Sequence, residues 1–248
     1  GQLTIIGARP SVGKSAFTLQ VAFNVARTKS KVLFFPLEMS AEETVDRIVM
    51  RFGEGIDQEA VRTGQLDADQ MNSVNAVLDK VYEYRDYFKV YENVRELDSI
   101  KAIVQEEKPD VIVIDQLSQI RNGDDFRTIR EKYVEITRSL KAMALQEDVA
   151  IWLPCQMNRE SSKSDLVSID YLKESGSIEE DADIVIILSN EKDSNGKYVT
   201  TPYGRIVKIE LAKNRQGACG NGKLHYIGSR FKFESVPDGF EYCNAGKF

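Results

Sequence analysis

The run Gly7-Ala8-Arg9-Pro10-Ser11-Val12-Gly13-Lys14-Ser15 holds the residue types that cradle a phosphate chain. Leu3–Ile6 before it reads as a short buried strand. Phe17, Val21 and Val25 after it share one helical face. In a strand–loop–helix setting the loop N–H groups point at a β-phosphate, and the positive end of the helix adds to the pull. Lys14 then reaches the β- and γ-phosphates, the Ser15 hydroxyl ligates Mg²⁺, and Ala8, Arg9, Pro10, Ser11, Val12, Gly13 and Ala16 complete the cradle. ATP and Mg²⁺ are the implied ligands. The pattern departs from the common P-loop at its first position, where Ala8 replaces glycine. Alanine is accommodated if that position keeps a negative φ.

Further candidates lie where predicted strands end. Asp115 closes the apolar run Val111–Ile114 and suits the Mg²⁺ carboxylate of a P-loop NTPase. Glu38 follows the strand Lys31–Phe35 in an apolar surround. If that strand flanks the P-loop strand, Glu38 can orient water for attack on the γ-phosphate. Gln156 follows the strand Val149–Leu153 and is either a γ-phosphate sensor or a polar loop residue. Lys213 and Arg215, spaced i and i+2 on extended backbone, are either a cationic finger or a solvated turn. The loop with Lys173, Glu174 and Gly176 reads as an ordinary surface loop or as a seat for a phosphodiester backbone.

The elements that must place these groups alternate. Strands are predicted at 3–6, 31–35, 88–91, 110–115, 149–153, 184–188 and 206–211, with helices after the loop, after the capping-box pattern Ser40-Ala41-Glu42-Glu43, twice within 57–84, at 97–107 and at about 127–147. Continuous β-branched runs belong to parallel strands covered on both faces. The tail from 220 to 248 alternates as antiparallel edge strands do. The fold class is therefore α/β: a mainly parallel, doubly wound sheet with antiparallel C-terminal edge strands.

Composition narrows the function. With 33 basic and 39 acidic residues the net charge is −6, so bulk electrostatic attraction to nucleic acid is excluded and any such contact needs a local patch or a groove between subunits. Three scattered cysteines, Cys155, Cys219 and Cys243, and a single histidine, His225, argue against structural zinc, a disulfide framework or a serine–histidine triad. They read as reduced thiols of a cytoplasmic protein. No run suits a membrane helix or a signal peptide. The phosphate loop so close to Gly1 suggests one domain, 1–248, cut from a longer protein.

Together the segments resemble the C-terminal motor domain of the DnaB family of replicative DNA helicases. The resemblance is carried by Ala8–Ser15, Leu37-Glu38-Met39, Val113-Ile114-Asp115-Gln116-Leu117, Gln156-Met157-Asn158-Arg159, the run Lys173–Asp183 and Lys213-Asn214-Arg215-Gln216-Gly217. The family's P-loop also begins with alanine, so Ala8 belongs to the pattern. The resemblance implies a RecA-like core that forms a hexameric ring, hydrolyses ATP and translocates on single-stranded DNA, with a helicase loader and primase as further partners. It assigns Lys14 and Ser15 to phosphates and Mg²⁺, Glu38 to catalysis, Asp115 to the metal and Gln156 to γ-phosphate sensing. Lys213 and Arg215 become cations donated to the neighbouring subunit's ATP, and Lys173, Glu174 and Gly176 contact DNA. Gln116 stands where tyrosine is usual, Pro36 replaces a small residue, Pro154-Cys155 precede Gln156 where serine is usual, and Lys173 replaces arginine. The family's N-terminal domain and linker helix are expected to be absent from this chain, which weakens a ring. Two other functions use the same residues: a RecA-like DNA-dependent ATPase without strand separation, and a nucleotide-gated scaffold without turnover. The pairing of Glu38 with Asp115 speaks against the scaffold.

Overall fold

A computed structural model describes residues 1–53, 55–56, 58–123, 128–157 and 180–241. Among these, ten strands form one sheet. In chain order the elements are β1 (Leu3–Ala8), α1 (Lys14–Ala26), β2 (Val32–Pro36), α2 (Ala41–Phe52), α3 (Gln58–Thr63), α4 (Ala68–Glu83), β3 (Phe88–Val90), α5 (Leu97–Glu107), β4 (Val111–Asp115), α6 (Ile129–Gln146), β5 (Ala150–Gln156), β6 (Ile184–Asn190), β7 (Thr200–Thr201), β8 (Gly204–Asn214), β9 (Gly220–Ile227) and β10 (Lys232–Glu241). The strand order is β10-β9-β8-β6-β1-β5-β4-β2-β3, with β7 paired to β8. The strands β3, β2, β4, β5, β1 and β6 run parallel, and β8, β9 and β10 add antiparallel edges.

Period-two alternation splits the strand side chains into two layers. Leu3, Ile5, Leu33, Phe35, Ile112 and Ile114 pack with α5 and α6 through Leu97, Ile100, Val104, Ile136 and Leu140. Val32, Phe34, Val111 and Val113 pack on the other face with Leu19, Ala22, Phe23 and Ala26 of α1 and Ile48 of α2. Both faces of the parallel strands are therefore dry, which is why their sequences are continuously apolar. The capping box forms as predicted: the Glu43 N–H donates to Ser40 Oγ at 3.0 Å, and the Ser40 N–H donates to Glu43 Oε2 at 3.1 Å.

Two strands outrun their predicted ends, and the reason is the direction of a missing N–H. The Ile151 N–H of β5 donates to the Gln2 carbonyl just before β1, and the Met157 N–H just after β5 donates to the Ala8 carbonyl of β1, whereas the Ala150 N–H donates to Asp110 on the β4 side. Pro154 thus points its missing donor toward β4, whose pairing with β5 stops at Trp152. The strand passes through Pro154 without losing a ladder bond and delivers Gln156 opposite Ala8. On β2 the Val32 N–H faces β3 and the Leu37 N–H faces Asp115, so Pro36 points its missing donor beyond Phe34, the last residue paired with β3.

The antiparallel end of the sheet is tied back onto α1. The Gln20 side chain donates to the Phe233 carbonyl at 2.8 Å and accepts from its N–H at 2.7 Å. Phe233 stacks on Tyr226 at 4.4 Å and meets Phe17 edge-on at 5.5 Å. No described helix is long and apolar enough to cross a membrane.

Candidate nucleotide site

The carboxyl ends of β1, β5, β4 and β2 lie along one edge of the sheet, the edge at which open α/β sheets bind ligands. Ala8 ends β1, buried and extended, with no glycine requirement at that position. The left-handed turns fall later, at Ser11 (φ 63°) and at Gly13 (φ 106°), which caps α1. Gly13 is needed twice: for its φ, and because a Cβ there would lie 3.0 Å from Phe233 and 3.1 Å from Tyr226. The Arg205 guanidinium donates to the Ser11 carbonyl and holds the loop against β8. The first N–H groups of α1 have no helical acceptor, and Lys14, Ser15 and Ala16 of that turn line the cavity.

That cavity, of about 290 Å³, is lined by the loop, Lys14 and Ser15 on one side, by Glu38, Gln116 and Gln156 from the strand ends, and by Arg47, Tyr226 and Phe231 at its outer rim. The Lys14 ammonium sits 3.6 Å from Asp115, which is 2% exposed, and donates to the Gln116 amide oxygen. The Gln116 amide NH₂ donates in turn to Glu38. Asp115 Oδ1 is buried without a hydrogen-bond partner. A buried carboxylate with spare acceptor capacity and a serine hydroxyl are the hard oxygen donors that Mg²⁺ prefers, so Asp115 and Ser15 fit the cation by their chemistry. Cys155, opposite Gly7, is fully enclosed, and burial pushes its thiol up to about 12, so it is an inert packing group. A larger cavity of about 440 Å³ on the other flank of the loop is lined instead by Arg9, Pro10 and the turn after β6, away from Lys14 and Glu38.

Glu38 reaches the site by a different route from the one anticipated. Its strand β2 does not flank β1; β5 and β4 lie between them. Gln116, at the end of β4, spans the gap. Sequence reasoning noted Gln116 only as an unusual residue and missed Arg47, Tyr226 and Phe231. Arg47 lies on α2 with its guanidinium 5.0 Å from the Phe231 ring, a pairing across 184 positions that no local pattern signals.

Lys213 and Arg215 are not at this edge. β8 runs antiparallel to β6, so Lys213 pairs with Val185 at the amino end of the parallel strands. The length of β1 separates that end from the loop, about 17 Å at ~3.4 Å per residue. Arg215 donates to Asp183 at 3.3 Å and to the Glu180 carbonyl. Asp183 also accepts from the Leu3 N–H at 2.8 Å and from Lys141 at 2.6 Å, and these donors hold its carboxyl below the ordinary range against the opposing effect of burial. Lys173, Glu174 and Gly176 lie outside the described residues.

Residues 1–235 match the DnaB-like helicase C-terminal domain family. The chain belongs to that family. The replicative DNA helicase DnaB of Geobacillus stearothermophilus is 34% identical over 250 residues, taking in 96% of this chain and 53% of that protein. The replicative DNA helicase DnaC of Bacillus subtilis is 32% identical, with 96% and 53% covered. This DnaB-like chain thus spans about half the length of the curated relatives it matches. A solved DnaB-like replicative helicase, described with its interactions with primase, superposes with a TM-score of 0.85 at 24% identity over 95% of this chain and 57% of the other. A solved ATPase domain gives 0.86 at 23% identity, with 95% and 84% covered. The RecA-like architecture expected from the sequence is the one observed.

Proposed function

We propose that this chain is the ATP-hydrolysing motor of a replicative DNA helicase, with its active sites completed between subunits of a homo-hexamer. The observation that carries this reading is the division of the charged groups. Lys14, Ser15, Glu38 and Gln156 line one cavity, with Asp115 buried 3.6 Å from the Lys14 ammonium, while Lys213 and Arg215 sit at the opposite edge of the sheet. A cation about 17 Å from its own loop serves a phosphate only if that phosphate belongs to a neighbour.

The loop N–H groups and Lys14 bind the β- and γ-phosphates of ATP and draw off the charge that develops during transfer. Ser15 and Asp115 would hold Mg²⁺, which would supply further charge neutralisation there. Glu38 orients the attacking water and takes its proton. Gln156, exposed at the end of β5, senses the γ-phosphate. At the rim Arg47 and Phe231 offer a cationic and aromatic surface for the base. Lys213 and Arg215 close the neighbour's site, so turnover requires assembly. Single-stranded DNA is the track, contacted by Lys173, Glu174 and Gly176. The family assignment supports this reading; a solved relative described with its interactions with primase supports a primase contact, and a helicase loader is a further proposed partner. A cytoplasmic location and a single motor unit over 1–248 complete it.

DNA-stimulated ATPase activity and unwinding of a forked duplex test the proposal. Lys14→Ala and Glu38→Gln each lower the hydrolysis rate by at least 100-fold, and Glu38→Gln keeps nucleotide affinity. Hydrolysis that survives both substitutions refutes the site. Hydrolysis without unwinding in the assembled ring supports a DNA-dependent ATPase that is not a helicase.

A further inference from the structure

We propose that Gln116 is a positioning residue that couples the occupancy of Lys14 by phosphate to the placement of Glu38. The inference rests on the reading of Lys14 as the phosphate lysine and Glu38 as the water-orienting carboxylate.

Gln116 is 4% exposed, so its amide must be satisfied inside the protein. Its two partners are the two groups the reaction depends on: the amide oxygen accepts from the Lys14 ammonium, and the NH₂ donates to the Glu38 carboxylate. The orientation is forced, because an ammonium has only donors and an ionised carboxylate only acceptors. The amide dipole therefore lies head to tail between a positive and a negative charge, and each bond polarises the other. No other side chain of this length serves both ends. Glutamate would meet Glu38 with like charge, and asparagine is one methylene too short to touch both partners.

Lys14 has a further neighbour in Asp115 at 3.6 Å, so its ammonium is held by Asp115 and Gln116 together. An arriving phosphate competes for the same ammonium. As Lys14 turns outward, the amide oxygen of Gln116 is drawn with it or released, and its NH₂ changes the direction of its pull on Glu38. Glu38 is exposed and has room to move toward the cavity. Gln116 follows β4, the neighbour of β2, and with only β5 between β4 and β1 its side chain meets both Glu38 and Lys14. A buried amide with a purely structural role would have no reason to join these two side chains.

The test uses the full chain in its assembled form with saturating single-stranded DNA. Gln116→Leu keeps a similar side-chain volume and removes both bonds. The expected result is a split: kcat falls at least 10-fold, while the Kd for a fluorescent non-hydrolysable ATP analogue stays within 3-fold or tightens, because Lys14 is no longer held by the amide. In single-turnover measurements Gln116→Leu added to Glu38→Gln costs less than 2-fold more. If Gln116→Leu does not fold, Gln116→Asn carries the same expectation. A kcat within 2-fold of the parent, a parallel loss of affinity and rate, or a full additional loss on top of Glu38→Gln overturns the relay. Should Glu38→Gln alone leave hydrolysis intact, it is the site assignment that fails; an inactive Glu38→Gln beside an unaffected Gln116→Leu removes only the coupling.

Discussion

At Gly13 backbone and packing ask for the same residue. Its φ of 106° suits only glycine, and Phe233 and Tyr226 occupy the space a Cβ would need. Gly13→Ala should cost about 1–3 kcal/mol, the range for a strained left-handed backbone, measurable by urea unfolding. The nucleotide Kd should weaken at least 10-fold, because the loop cannot keep its N–H groups aimed inward. An alanine variant with parental stability and affinity would mean that the loop is not held as described. Residue types revealed most of this site. Lys14, Ser15 and Asp115 were legible because a phosphate loop and a strand-end carboxylate are short local patterns. Gln116 was not, since a glutamine after an aspartate reads as turn chemistry until its burial is known. Tyr226 and Phe231 reach the site through the β9–β10 hairpin, and alternation marks such residues only as strand.

Among the elements, the parallel strands were legible wherever an apolar run is buried on both faces, and their order was not. Nothing in Leu3–Ala8 or Val32–Pro36 states that two strands lie between them. Pro36 and Pro154 read as strand ends, because the side on which a strand loses its neighbour is a property of the sheet. The outer strands β2 and β3 are fastened to α5 by one carboxylate. Glu107 accepts from Lys89 at 2.7 Å and from the Tyr91 hydroxyl at 2.7 Å, and pairs with Lys31 at 2.6 Å. Its carboxyl is held at about 2, below the ordinary 4.5, chiefly by its bonds to Lys31 and Lys89. Because the folded value is the lower one, the stabilisation is complete above about pH 4.5 and is lost as pH falls toward 2. Glu107→Gln should cost about 1–3 kcal/mol at pH 7 and flatten the stability profile between pH 5 and 3. Denaturant midpoints across that range check it; a profile unchanged in the variant would show that the acid limb arises elsewhere.

The whole molecule is built on a sheet with the Lys14 loop at one edge and, about 17 Å away, an edge carrying Lys213 and Arg215. Arg215 is held there by Asp183, which also fastens the start of β1 and α6, so the cation sits on a rigid part of the fold. A neighbouring copy placed with that edge against this cavity would complete it, and each copy would donate one edge and receive the other. Mixing subunits tests this most directly. Arg215→Ala subunits keep an intact cavity but donate nothing; Lys14→Ala subunits donate the cations but bind phosphate poorly. Each should be inactive alone, with Arg215→Lys as a check that loss of the Asp183 contact is not the cause. Mixed at equal concentration under assembling conditions, they should recover DNA-stimulated ATPase activity, because some interfaces pair a sound cavity with a sound Arg215. Recovery well above the sum of the separate preparations is the predicted result. No recovery, with oligomers of normal size, would contradict a site shared between subunits.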